Sequence, residues 1–409
     1  MKLILLALVG VLCLPACSTT SQLEGDELRE NGEAHPHGAA ARANQRRSAD
    51  GTVPQNAIAR MKEQRDRLLQ GQPLMAGTLL SNWKWLGPGN IGGRIRAIAI
   101  HPTKTNTMWI GSATGGIWKT TNGGASWFAL DDFAPVMSVS DLDIDPKNPD
   151  KIYASTGEGG FFDTVAGTSN LAAVRGAGIF VTTNGGTTWS QLKSTKGSDF
   201  ELVNRLDISP ADNKVLLAAT PKGIFRSTDA GTTWSKRSSA NTLDIDFHPT
   251  DGKKAIAGSR DGLPLYSTDG GLTWKNATGI ATRQRVEVAY ATGSPTTVYA
   301  AVSQNNRIHV YRSTNGGQSY SARYTGSGIS TYSRYNNVIW VDPSNANTLL
   351  VGGVRLYRST NGGSSFGAAY SGSYYDYHVV VKHPGYTGTT NQTVFHGNDG
   401  GIYRTTALK

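Results

Sequence analysis

One eight-residue pattern recurs six times in register along this chain, as TTNGGASW (Thr120 to Trp127), TTNGGTTW (Thr182 to Trp189), STDAGTTW (Ser227 to Trp234), STDGGLTW (Ser267 to Trp274), STNGGQSY (Ser313 to Tyr320) and STNGGSSF (Ser359 to Phe366). Each residue type has a physical reason. The third position is Asn122, Asn184, Asp229, Asp269, Asn315 or Asn361, and such side chains fold back onto backbone N–H groups to fix a tight turn. Glycine beside them takes positive φ without a Cβ clash. The last position, Trp127, Trp189, Trp234, Trp274, Tyr320 or Phe366, carries enough apolar area to pack against a neighbouring unit. These are structural turns between strands and are assigned no catalysis.

Each turn follows a short apolar run such as GIWKTT, AGIFVTT, GIFRST or RLYRST, and two further runs precede it in every cycle. The first of these ends in a Pro turn, as in RAIAIHP at Pro102, SDLDIDP at Pro146, NRLDISP at Pro210 and LDIDFHP at Pro249, with later counterparts at Pro295, Pro343 and Pro384. Seven cycles of roughly 40 to 48 residues, each with four short antiparallel strands, predict an all-β fold, a seven-bladed β-propeller over residues 83–409. The 49 glycines among 409 residues then punctuate turns. In the last cycle Ala407 stands where Asn or Asp belongs, and Lys409 follows shortly. Blade seven therefore has no fourth strand of its own. Either Asn82-Trp83-Lys84-Trp85-Leu86 supplies it and closes the ring, or the sequence is a piece of a longer protein.

The start of the chain has another character. Met1 and Lys2 precede an apolar run from Leu3 to Leu14, too short to span a bilayer, and Leu14-Pro15-Ala16-Cys17 follows. This resembles the lipobox of bacterial lipoproteins. The resemblance implies a signal peptide over 1–16, acyl chains on Cys17 and membrane attachment through them. With Ser18 rather than Asp in the next position, the resemblance to lipoproteins of Gram-negative bacteria implies the outer membrane. Residues 17–53 are polar and lack apolar periodicity, which predicts a disordered tether. Ile58, Met61, Arg65 and Leu68 fall near helical spacing, which predicts a short helix over 54–71. With only two Cys, at 13 and 17, neither a disulfide scaffold nor a thiolate zinc site is expected.

Outside the repeat frame, the stretch from Ser155 to Gly178 in the second cycle is far longer than its counterparts and carries Glu158, Asp163 and Arg175. Long loops in compact repeats are usually functional. Arg94, Arg260, Asp261, Arg307 and Asp399 are expected on the same face, that of the blade-to-blade connections. Tyr324, Tyr332, Tyr335, Tyr374, Tyr375 and Tyr377 join them as candidate ligand-binding residues, since a Tyr ring suits a sugar face or a protein partner. The competing reading is that these rings pack the blades. Glu158 and Asp399 are candidate catalytic carboxylates of unknown separation. His101, His248 and His383 alternate with Asp145, Ser209 and Asp342 at one turn position, so they are repeat parts and not a metal set. Arg226, Arg312, Arg358 and Arg404 likewise share one third-strand position.

The eight-residue pattern resembles the Asp box of BNR repeats, which sialidases, sortilin-like receptors and family-74 glycoside hydrolases share. Residues 85–157, with WLGPGNIGGRIRAIAIHP and SATGGIWKTT, are similar to the opening blades of the family-74 enzymes. That resemblance implies an Asp as catalytic base just before the first Gly-Gly hairpin. Here the stretch is Ser112-Ala113-Thr114-Gly115-Gly116, with no carboxylate, so the mechanism does not transfer. Gly93-Arg94-Ile95-Arg96 lacks the Pro of the sialidase signature. The net charge of +10 lies almost wholly in the propeller. Without basic runs or stacking motifs it fits acidic glycans or lipopolysaccharide better than nucleic acid. The expectation is an envelope-anchored monomer without metal or cofactor, a non-catalytic module binding a glycan or an envelope or extracellular protein. The alternatives are a xyloglucanase-like or sialidase-like glycoside hydrolase and a periplasmic assembly factor.

Overall fold

The computed structural model describes residues 93–130, 138–158, 174–260, 263–281, 285–331, 335–369 and 373–408. The signal peptide, Cys17, the tether, the helix over 54–71, the candidate closing strand at 82–86, and Asp163, Asp261 and Tyr332 lie outside them. Among the described residues, seven antiparallel sheets follow one another in chain order, six of four strands and a last of three. The protein is a seven-bladed β-propeller. The innermost strands are Ile95–Ile100, Val139–Ile144, Arg205–Ile208, Thr242–Phe247, Val286–Tyr290, Val338–Val341 and Tyr377–Lys382. Among the described residues, helix is confined to two short 3₁₀ turns, Lys193–Thr195 and Ser198–Phe200.

The core is divided into seven interfaces, one between each pair of neighbouring blades, because each sheet buries both faces. The Asp-box aromatic of each blade closes the interface with the blade before it. Trp189 packs with Trp109 and Phe180, Trp234 with Tyr153 and Phe225, and Tyr320 with Ile256 and Val298. Between blades six and seven no box aromatic is available. Leu408 is buried there instead, beside Leu356 and Val394. Blade seven meets blade one through Val379 and Phe395 against Ile95, Met108 and Ile110, so packing between the first two strands of each blade joins them.

Within a box, the hydroxyl of Thr120 donates to Asn122 Oδ1 (2.8 Å) and accepts from the N–H of Gly124 (3.1 Å), and Asn122 Oδ1 accepts from the N–H of Ser126 (2.9 Å). A box N–H also bonds the blade's own Pro turn: Gly185 N–H donates to Asp150 O at 2.8 Å and Gly270 N–H to Lys253 O at 2.6 Å. Both kinds of turn thus share one face of the disc. The shared third-strand cation has a job too. Lys119 Nζ donates to Gly185 O (2.8 Å) and Arg226 Nε to Gly270 O (2.8 Å), fastening the next blade's box.

At the Pro turns, His101 Nδ1 accepts from the N–H groups of Thr103 (3.2 Å) and Lys104 (3.0 Å). Asp145 Oδ1 does the same for Lys147 (2.9 Å) and Asn148 (3.2 Å). An imidazole and a carboxylate are interchangeable here because only an acceptor is required.

Box glycines are constrained twice over. Gly271 has φ 83°, and a Cβ there would meet Leu217 Cδ2 at 2.6 Å. In the third blade Ala230 occupies a glycine position at φ 57°, where a Cβ costs roughly 1–2 kcal/mol. Ala230→Gly is therefore expected to raise the urea midpoint by an equivalent of about 1 kcal/mol, reduced by the unfolded chain's gain in freedom. An unchanged or lower midpoint contradicts the strain.

Candidate functional site

Inner strands of a propeller leave N–H groups facing the axis, and this chain satisfies several of them with acids from the blade before. Asp141 Oδ2 accepts from Leu206 N–H (2.9 Å), Asp207 accepts from Phe247 N–H, and Asp244 Oδ2 accepts from Val288 N–H (2.9 Å). Arg205 bridges Asp141 and Asp244, at 3.3 Å to each. The LDID-like segments of blades two to four are therefore stitching between blades.

On the face of the blade connections the axis is covered by a network drawn from blades one, two, six and seven. Arg94 makes a bidentate pair with Asp399, Nε to Oδ1 at 2.7 Å and Nη2 to Oδ2 at 2.8 Å, and its Nη1 reaches Glu158 Oε1 at 3.4 Å. The hydroxyl of Tyr335 donates to the same Glu158 oxygen at 2.6 Å. The guanidinium of Arg94 lies 4.8 Å from the centre of the Tyr335 ring, and that of Arg96 lies 5.6 Å from it. His378 joins Asp399 Oδ1 through Nε2 at 2.6 Å and Arg96 Nη1 through Nδ1 at 2.8 Å. Arg96 has only donors, so Nδ1 is the acceptor and the His378 proton sits on Nε2.

Local geometry makes this convergence possible. Pairing of the first two strands shifts register between Ile95 and Ala97 in blade one and between Tyr377 and Val379 in blade seven. Arg96 and His378 are the extra residues of these bulges, which re-aim a side chain. The base of the long second-blade loop is pinned where Glu158 N–H donates to Val174 O (2.7 Å) and Val174 N–H to Glu158 O (2.6 Å).

The charges are strongly biased. Burial would raise the Asp399 carboxyl, but hydrogen bonds from His378 and Arg94 outweigh it and hold it down at about 2. Burial, reinforced by Arg96, lowers His378 to about 3, so the ring is neutral. Burial pushes the Tyr335 hydroxyl up. Asp399 precedes Gly400-Gly401, the arrangement missing from blade one, yet both its oxygens are engaged by Arg94.

The remaining candidates separate by burial. Tyr374 and Tyr375 are each 49% exposed, with ring centres 6.2 Å apart. They are held beside the network, since Asn398 Nδ2 donates to Tyr374 O (2.8 Å) and Asp399 N–H to Tyr375 O (3.3 Å). Arg355 lies 5.4 Å from the Tyr375 ring centre. Asp376 then takes φ 66°, which turns the chain inward. Tyr377 is buried in the interface of blades six and seven, and Tyr324 packs edge-on against Phe366 at 5.3 Å. Those two rings do the packing that was the competing reading. Arg175 pairs with Glu201 at 3.5 Å, Arg260 is buried, and Arg307 is exposed at the start of its strand. The sequence pattern does not single out Arg96 or His378. A charged or imidazole side chain inside an otherwise apolar inner strand was the available signal.

Comparison with known proteins agrees with this architecture. Residues 177–308 match the Sortilin-Vps10 family model, described as sortilin, neurotensin receptor 3. No curated protein matches the chain. Among solved structures, the GH74 xyloglucanase from Xanthomonas campestris is similar with a TM-score of 0.60 at 18% identity, over 78% of this chain and 53% of that one. An ancestral GH74 enzyme is similar at 0.59 and 19%, over 79% of this chain and 46% of that one. This chain thus spans about half the length of those enzymes. YCF48 from Cyanidioschyzon merolae is similar at 0.53 and 13%, over 78% of this chain and 96% of that one. YCF48 bound to D1 peptide is similar at 0.50 and 14%, over 78% and 94%. At these identities the shared property is the fold.

Proposed function

We propose that this propeller is a non-catalytic binding module, anchored at the bacterial envelope through Cys17, that holds a glycan or a protein partner on its blade-connection face. The observation that carries the reading is the double engagement of Arg94. Hydrolysis by a carboxylate pair needs one member protonated near neutral pH and the other open to water or to the sugar. Asp399, down at about 2, stays ionised, and Glu158 is 3% exposed beneath Arg94 and Tyr335. The exposed Tyr374–Tyr375 pair, backed by Arg355, supplies a contact surface of the kind that recognises sugar rings or partner side chains. YCF48, similar along nearly its whole length and solved with D1 peptide bound, supports a peptide partner as the second reading.

A glycan array and a pull-down from envelope extracts test the binding. Tyr374→Ala combined with Tyr375→Ala is expected to weaken whichever ligand is found by about tenfold or more. Full affinity in that double variant contradicts the placement. Reducing-sugar release from a bound glycan, abolished by Glu158→Gln, replaces the reading with hydrolysis. For the anchor, labelling cells with radioactive fatty acid is expected to mark the wild type and not Cys17→Ser, and equal labelling removes the lipid from the account.

A further inference from the structure

The central channel holds a second site, independent of the face just described. A cavity of about 670 Å³ runs along the inner strands to the Pro turns, lined at that end by Pro102, Pro249, Pro343 and Pro384. It has two unlike walls. Asp143, Asp207 and Asp246, at one level of blades two, three and four, form the first, and Ile98, Trp340 and Val381 belong to the second. Arg205 is engaged one level away by Asp141 and Asp244, and Arg285 by Glu287 at 2.7 Å. Among the described residues no ion pair reaches Asp143, Asp207 or Asp246. Lys382 lines the opposite wall.

Two buried oxygens along this lining have no hydrogen-bond partner among the described residues. One is Asp143 Oδ2, and the other is the hydroxyl of Tyr290, a residue only 6% exposed. Burial first, and then the neighbouring carboxylates, push the Asp143 and Asp246 carboxyls up, although Arg205 works against the rise at Asp246. The described His, Cys, Asp and Glu side chains form no group of three suited to a metal ion. Unpaired oxygens and acids without an ion pair, facing an apolar wall, match an organic cation, whose stem can lie on the aliphatic wall and whose head can sit near the Trp340 ring and the carboxylates.

We infer that the channel, entered from the Pro-turn face, binds an alkylammonium group, carried by a free amine or by a lysine side chain. Titration calorimetry of the whole chain with n-pentylammonium chloride at pH 8 and low salt is expected to show binding. Asp143→Asn with Asp246→Asn is expected to weaken it by at least about tenfold. Val381→Arg, which places a tethered cation in the cavity, is expected to do the same without touching the acids. Tyr374→Ala, on the opposite face, is expected to leave it unchanged, so failure here and failure of the glycan or protein reading are separable. The peptide Gly-Lys-Gly binding more tightly than pentylammonium identifies a polypeptide lysine as the source, and the reverse order identifies a free amine. Absence of heat with both probes overturns the inference. So does undiminished binding in both channel variants, or displacement of the amine by calcium.

Discussion

Arg94→Met is expected to be among the most damaging single changes on the blade-connection face, lowering unfolding free energy by about 2–3 kcal/mol. Removing one partner of a buried pair costs roughly 3–5 kcal/mol, and the value is reduced here because the Arg94 side chain is 32% exposed. Two carboxylates lose their cation together, and blades one, two and seven lose their common fastener. Asp399→Asn in the same chain is expected to recover part of the loss, since one of the stranded charges is gone. A double-mutant cycle in urea checks this, and independent, additive losses contradict the network.

The pH dependence of the two variants follows from Asp399. Its folded value of about 2 lies below the usual 3.8. Its stabilising contribution is present above the unfolded value and fades as pH falls toward 2. Arg94→Met is expected to flatten that acid limb.

Asp143→Asn is expected to have the opposite sign, stabilising the propeller by about 1–3 kcal/mol at pH 9 and little at pH 5. Burial, joined by Asp141 and Asp244, pushes Asp207 up to about 7, although backbone hydrogen bonds from Phe247 and Ile208 work against it. A carboxyl raised in the folded state favours folding fully below its unfolded value, and that advantage is lost as pH rises through about 7. A carboxyl that holds its proton tenfold more tightly in the folded chain than in the unfolded one contributes about 1.4 kcal/mol, so the channel acids together oppose folding in alkali. Asn at 143 removes one charge and supplies an N–H where Oδ2 has no partner. Urea titrations at the two pH values decide it. Equal stability of variant and wild type at pH 9 means the channel carboxylates do not repel as described.

The blade repeat was legible because its causes are local. An Asp or Asn that closes a turn, a glycine at positive φ and an aromatic at fixed spacing each act within eight residues, and repetition turned them into an architecture. The interchangeability of His101 with Asp145 was legible for the same reason. Tyr374, Tyr375 and Tyr377 show the limit. They look equivalent in the sequence, but one positive φ at Asp376 exposes the first two and buries the third. Arg96 and His378 stand out in the sequence only as a charged and an imidazole side chain in apolar strands, because the bulge that aims them is set by how two strands pair.

From the sequence alone came seven blades, their turn chemistry and the face on which Glu158, Arg94 and Asp399 belong. Only the tertiary structure showed how those three are joined. Residues 64 and 305 positions apart from Arg94 close on its single guanidinium, and whether two carboxylates are a catalytic pair or a neutralised one depends on which cation lies between them. Ring closure sets that distance, and it is a property of seven packed interfaces together rather than of any one repeat.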